Sequence, residues 1–187
     1  MNKLYLIALV LLVSACALSP QVIKVDPTLS EAISRSGAGT SPFNVKVIDQ
    51  RETNVLGKRG GVYKETATVM SDDKMVTRLQ QTLTERFTAA GYVIDDLAAN
   101  QLYVMIDSLG YEAVGENRVS EVTVQAQITA TAATGAGNFS KKYKASHKQE
   151  VLKAPGDDKN AELVNNVFGA VVQRVLDDEE LLQYLNN

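Results

Sequence analysis

Apolar and polar residues alternate with period two over long stretches of this chain and recur at a spacing near four in two others. The first pattern predicts strands and the second amphipathic helices. Phe43, Val45 and Val47 share one side of a strand ending near Gln50, with Asn44, Lys46 and Ile48 on the other. Residues 54–61 hold Gly57, Gly60 and Gly61 around Lys58 and Arg59 and read as a loop. Residues 62–70 read as a second, weaker strand. Residues 101–113 are apolar on both parities, as a central strand would be. Val122, Val124, Ala126, Ile128, Ala130 and Ala132 alternate strictly with polar residues, so residues 119–134 predict a strand with one wet face. Residues 135–138 turn the chain, and residues 139–152 return as the partner strand, with Phe139, Tyr143 and Ala145 inward.

Between these strands, Met75, Leu79, Leu83 and Phe87 form one helical stripe. Ser71 is placed to cap this helix, with Asp72 and Asp73 in its first turn and Gly91 at its end. A second stripe, Val164, Val167, Phe168, Val171 and Val175, follows Pro155-Gly156-Asp157. The acidic run 177–180 breaks it, and a last turn over residues 181–185 folds back. The order β-β-α-β-β-β-α predicts an α+β domain over residues 43–187: an antiparallel sheet with two amphipathic helices on one face. No internal repeat is visible.

The N-terminus follows a different pattern. Lys3 precedes an unbroken apolar run from Leu4 to Val13, and small residues follow. This is the order of a secretory signal peptide, and the run is too short for a membrane span of about 20 residues. Val13-Ser14-Ala15-Cys16 resembles the lipobox of bacterial lipoproteins, which implies cleavage after residue 15 and diacylglycerol on the Cys16 sulfur. The alternative is a cysteine that merely closes an ordinary signal peptide; the position of the sole cysteine directly after the run argues against it. By resemblance to enterobacterial lipoproteins, Ala17 implies the outer membrane. Residues 16–42 hold three prolines with many Ser and Gly and read as a flexible tether, with a short strand near Val22 to Val25.

Composition narrows the chemistry. The chain has 187 residues, is 45% hydrophobic, and carries a net charge of −3, which falls to −4 when Lys3 leaves with the leader. An acidic chain lacks the cationic surplus that broad nucleic-acid binding needs, so no nucleic-acid partner is expected. One Cys excludes an intramolecular disulfide, and one Cys with one His does not make a usual zinc site. No metal or cofactor is expected. The glycine-rich loop at 57–61 lacks the spacing of a phosphate-binding loop. His147 has no nucleophile elbow to serve and reads as a half-buried, hydrogen-bonded strand residue. Asp72-Asp73 and Asp157-Asp158 fit helix starts, and Asp49 fits a structural pair with Arg51. Lys142, Lys144 and Lys148 share one parity of residues 139–152 and make a candidate contact patch for an envelope protein or an anionic envelope component. The same lysines suit protection of an exposed sheet edge better.

Several segments carry a wider likeness. Val25-Asp26-Pro27-Thr28, residues 45–51 (Val-Lys-Val-Ile-Asp-Gln-Arg), residues 87–92 (Phe-Thr-Ala-Ala-Gly-Tyr), Tyr143-Lys144-Ala145-Ser146-His147 and Asn165-Asn166-Val167-Phe168 occur in an order and spacing that, with Cys16, resembles the YajG family of uncharacterised proteobacterial lipoproteins. The family pattern has an aromatic where His147 stands. The resemblance implies an outer-membrane lipoprotein facing the periplasm and supplies no catalytic residues. The expectation is a non-enzymatic module, joined to the membrane through Cys16, that binds another envelope component. The competing expectation is an envelope hydrolase acting on peptidoglycan or lipid, which requires Asp49, Arg51 and His147 to meet in one cleft.

Overall fold

The alternation over residues 122–132 builds the centre of the molecule. The computed structural model describes residues 20–30, 41–60, 67–115 and 121–186. They form β1 (Gln21–Ile23), β2 (Phe43–Asp49), β3 (Val55–Lys58), β4 (Thr68–Ser71), α1 (Met75–Ala89), β5 (Asn100–Val114), β6 (Glu121–Thr134), β7 (Gly137–Glu150), α2 (Asp157–Leu176) and α3 (Glu179–Asn186). The fold is α+β, one seven-stranded sheet with three helices. Strand order is β1-β4-β3-β5-β6-β7, and β2 pairs with the first half of β5.

The sheet is mixed. The long ladders β5/β6 and β6/β7 are antiparallel, as is β3/β4. β1/β4, β2/β5 and β3/β5 are parallel. The longest ladders are antiparallel as the alternation predicts; a period of two reveals which face is buried and says nothing about a partner's direction, so the three parallel pairs have no signature in the sequence.

The six apolar residues of β6 from Val122 to Ala132 are all buried. In β5 the buried set begins as Leu102, Val104 and Ile106 and resumes as Leu109 and Tyr111. The parity changes because Asp107 is an extra residue where the β5/β6 register shifts. Apolar residues on both parities therefore reflect one bulge, not burial on two faces. The Asp107 carboxylate accepts hydrogen bonds from Gln127 (2.9 Å) and Thr129 (2.7 Å) on the open face.

The helices cover the buried face. Met75, Leu79, Leu83 and Phe87 of α1 are buried, and Phe43, Phe87 and Tyr92 meet edge to face with centroids 5.4–5.8 Å apart. Gly91, at φ 90°, ends α1: its N–H donates to the Thr88 carbonyl and that of Tyr92 to the Phe87 carbonyl. The start of α1 differs from expectation. Ser71 belongs to β4, and no acidic residue lies in the first turn. Asp72 instead pairs with Arg78 (2.6 Å) and accepts from the Val25 N–H (3.0 Å). The Val164–Val175 stripe of α2 is buried as expected, and Asp157 and Asp158 do occupy its first turn. The last turn is a full helix, α3, burying Leu181, Leu182 and Leu185.

Two segments read as irregular are ordered parts of the body. Val55–Lys58 is a strand, because Gly57 lets β3 approach β5 so closely that a Cβ would overlap the Tyr111 carbonyl oxygen. Residues 20–30, expected within the flexible tether apart from a short strand near Val22 to Val25 that is found as β1, are clamped between β4 and α2. Ile23 and Val25 are buried, Asn165 Oδ1 accepts from the Asp26 N–H (2.8 Å), and Gly169 leaves room for the Thr28 backbone. The proline-rich composition hid this, since the partners lie about 140 positions downstream. Cys16 and the rest of the leader lie outside the described residues, as do residues 31–40, 61–66 and 116–120.

Candidate contact surface

The face of the sheet opposite the helices is polar and open. Lys46, Tyr103, Thr131 and Ser140 form one row across β2, β5, β6 and β7. Ile48, Met105, Thr129 and Lys142 form the next. Lys46 Nζ lies 5.9 Å from the Tyr103 ring centroid, and Thr131 and Ser140 hydroxyls are hydrogen-bonded at 2.8 Å. Lys46, Ile48, Ser140 and Lys142 are exposed, and the other four side chains of these rows are partly so.

β7 is the edge strand, and its lysines divide by parity. Lys142, Lys144 and Lys148 are exposed and stand on the open face, opposite Thr129, Gln127 and Thr123. They are not equivalent. Lys148 Nζ is 2.6 Å from Glu121 Oε2, and that bond raises its pKa. Lys142 and Lys144 have no ion-pair partner among the described residues.

Lys141 takes the other parity and serves the fold. Its Nζ lies 2.6 Å from Asp178 Oδ2 and 3.6 Å from Glu180. Asp178 caps α3 by accepting from the Leu181 N–H (2.9 Å), and also accepts from the Tyr143 hydroxyl (3.0 Å). Burial alone would push the Asp178 carboxyl up. The bonds from Lys141, the Leu181 N–H and Tyr143 outweigh it and hold the group below the usual carboxylate range.

A groove of about 290 Å³ runs between β7 and α2. Glu162, Asn166, Ala170 and Arg174 line it from α2, and Ser146 and His147 from β7. The spacing of four on α2 was the signal available in sequence; it escaped notice because the row is not apolar. His147 is exposed here, not half-buried and hydrogen-bonded, since α2 stands off from the edge strand at this level. Glu162 pairs with Lys159 at 2.7 Å. Arg174 Nη1 donates to the Lys144 carbonyl, satisfying part of the free edge of β7.

Asp49 and Arg51 do pair, through two bonds of 2.8 Å, and Arg51 reaches Ser71 Oγ at 3.0 Å. Arg51 holds the Asp49 carboxyl low against the opposing effect of burial. This pair ends β2, whereas His147 is on β7 with β5 and β6 between them, at least about 14 Å away at ordinary strand spacing. The three residues of the hydrolase expectation do not share a cleft. Among the described residues there is no group of three or more potential metal ligands, and no helix is long and apolar enough to cross a membrane.

The family model of an uncharacterized lipoprotein matches residues 27–186. The chain belongs to that lipoprotein family. No curated protein matches it. Among solved structures, a protein from Xanthomonas campestris shares 10% identity at a TM-score of 0.53, over 90% of this chain and 96% of that one. Rare lipoprotein B from Shewanella oneidensis shares 14% at 0.47, over 76% and 92%. A lipoprotein from Neisseria meningitidis shares 9% at 0.40, over 74% and 99%. The first likeness concerns the fold alone.

Proposed function

We propose that this lipoprotein is a non-enzymatic binding module of the YajG type, held on the periplasmic face of the outer membrane by lipid on Cys16. Its contact surface is the open sheet face at β7. The observation that carries this reading is the pair Lys142 and Lys144, which project from that face with no ion-pair partner among the described residues. Lys148 is already neutralised by Glu121 and contributes less. Two unpaired ammonium groups beside the Thr129 and Gln127 side chains favour a partner with carboxylate or phosphate groups. Membership of a lipoprotein family supports the anchor, and the separation of Asp49 and Arg51 from His147 removes the arrangement that the hydrolase reading required.

Crosslinking in the intact envelope tests the surface. Lys142→Glu with Lys144→Glu should lose the crosslinked partners of the parent, while Lys148→Glu should keep most of them. Equal recovery from the double variant would refute the lysine surface. Metabolic palmitate should label the parent and not Cys16→Ser; equal labelling would refute the anchor.

A further inference from the structure

The clamp on residues 20–30 fixes which end of the molecule the N-terminal lipid can approach. Gln21 is level with Val69, and through Gly57 with Tyr111, Val124 and His147 across the sheet. The N-terminal end of β1 points toward the end of the sheet where Val114, Glu121 and Glu150 share one row. Gln21 itself is held by its own bond to the Asp157 carbonyl (2.7 Å) and by the Asn160 amide (2.9 Å). Cys16 is five residues before Gln21, a span of at most about 18 Å when fully extended. β5 alone is 15 residues long, about 50 Å. A lipid on Cys16 therefore keeps this end near the headgroups whatever path residues 17–20 take.

The same end presents apolar side chains to solvent. Leu152 is 96% exposed, and Val114 is 46% exposed. Val151 packs against the core and holds the turn, so Leu152 stands outward beside Lys153, which has no ion-pair partner among the described residues. Leu97, at 93%, is nearly as exposed, but it lies at the far end, directly after Asp95 and Asp96. Both ends carry carboxylates, Glu121 and Asp157 at the near end being paired with Lys148 and Arg59, so the reach of the anchor and not charge separates the two leucines.

We propose that the turn over residues 151–154, with Val114, is a second lipid contact. It seats the Leu152 side chain in the headgroup layer and Lys153 among lipid phosphates. This rests on the proposed lipidation of Cys16. It orients the domain with its β1-entry end on the membrane and the Asp95–Leu97 end away from it.

The test uses the full-length protein, purified from membranes and reconstituted in phosphatidylethanolamine–phosphatidylglycerol vesicles. Leu152→Cys and Leu97→Cys each carry the same environment-sensitive dye, so the dye's own apolarity cancels in the comparison. Nitroxide lipids labelled at the headgroup should quench the probe at 152 several-fold more than the probe at 97. Equal quenching, or none at 152 in protein that floats with the vesicles, overturns the second contact and leaves the anchor standing. Protein that neither floats nor carries palmitate overturns the anchor and this proposal with it.

Discussion

Asp178 Oδ2 lies 2.6 Å from Lys141 Nζ, and the same carboxylate caps the helix that follows it. One side chain thereby joins the edge strand to the C-terminal helix. Asp178→Ala should cost about 1–3 kcal/mol, from the lost cap and the stranded Tyr143 hydroxyl. Asp178→Asn, which can still cap, should cost less. Urea denaturation with an unchanged slope checks both.

Stability should have an acid and an alkaline limit. Asp49, Asp72 and Asp178 are each held below the usual carboxylate range by hydrogen bonds that outweigh their burial. Their contribution is complete above the unfolded value of about 4 and is lost as pH falls through the folded values. Burial raises Tyr111 to about 12 and also raises Tyr143. The tyrosine contribution is complete below about pH 10 and is lost as pH rises beyond it. Thermal melts should show a plateau between these limits. Asp72→Asn with Asp178→Asn should flatten the acid limb; an unchanged limb would count against the assignment.

Two glycines should be intolerant of alanine because another backbone segment passes against each. Gly57→Ala drives a methyl into the Tyr111 carbonyl and should cost about 1–3 kcal/mol, where Gly135→Ala, with open space around it, should be neutral. Gly169→Ala gains up to about 1 kcal/mol of helix propensity but collides with the Thr28 backbone. Hydrogen exchange should therefore show lost protection at the Thr28 amide, which bonds to the Asn165 carbonyl, with Val124 in the sheet unaffected.

Local patterns were legible in sequence where burial alone decided them. The strand over residues 121–134, the α1 stripe with its Gly91 end, and the α2 stripe all follow from periodicity. What stayed hidden depends on distant partners. Ser71-Asp72-Asp73 has the chemistry of a helix cap, yet Arg78 and the Val25 N–H take the Asp72 carboxylate. Gly57 has the chemistry of a loop, yet its missing side chain is what lets β3 join the sheet. The lysine row was visible as a parity. That Lys148 is spent on Glu121 emerged only from the β6/β7 register.

The clamp on residues 20–30 also sets an order of events as the chain folds. β1 finds β4 within about 50 residues, but the other partners of residues 20–30 lie near the C-terminus: Asn160 for Gln21, Asn165 for Lys24 and Asp26, and Gly169 for Thr28. The clamp cannot close until α2 is present, so the earliest described residues of the chain complete their contacts only when nearly all of it has been made.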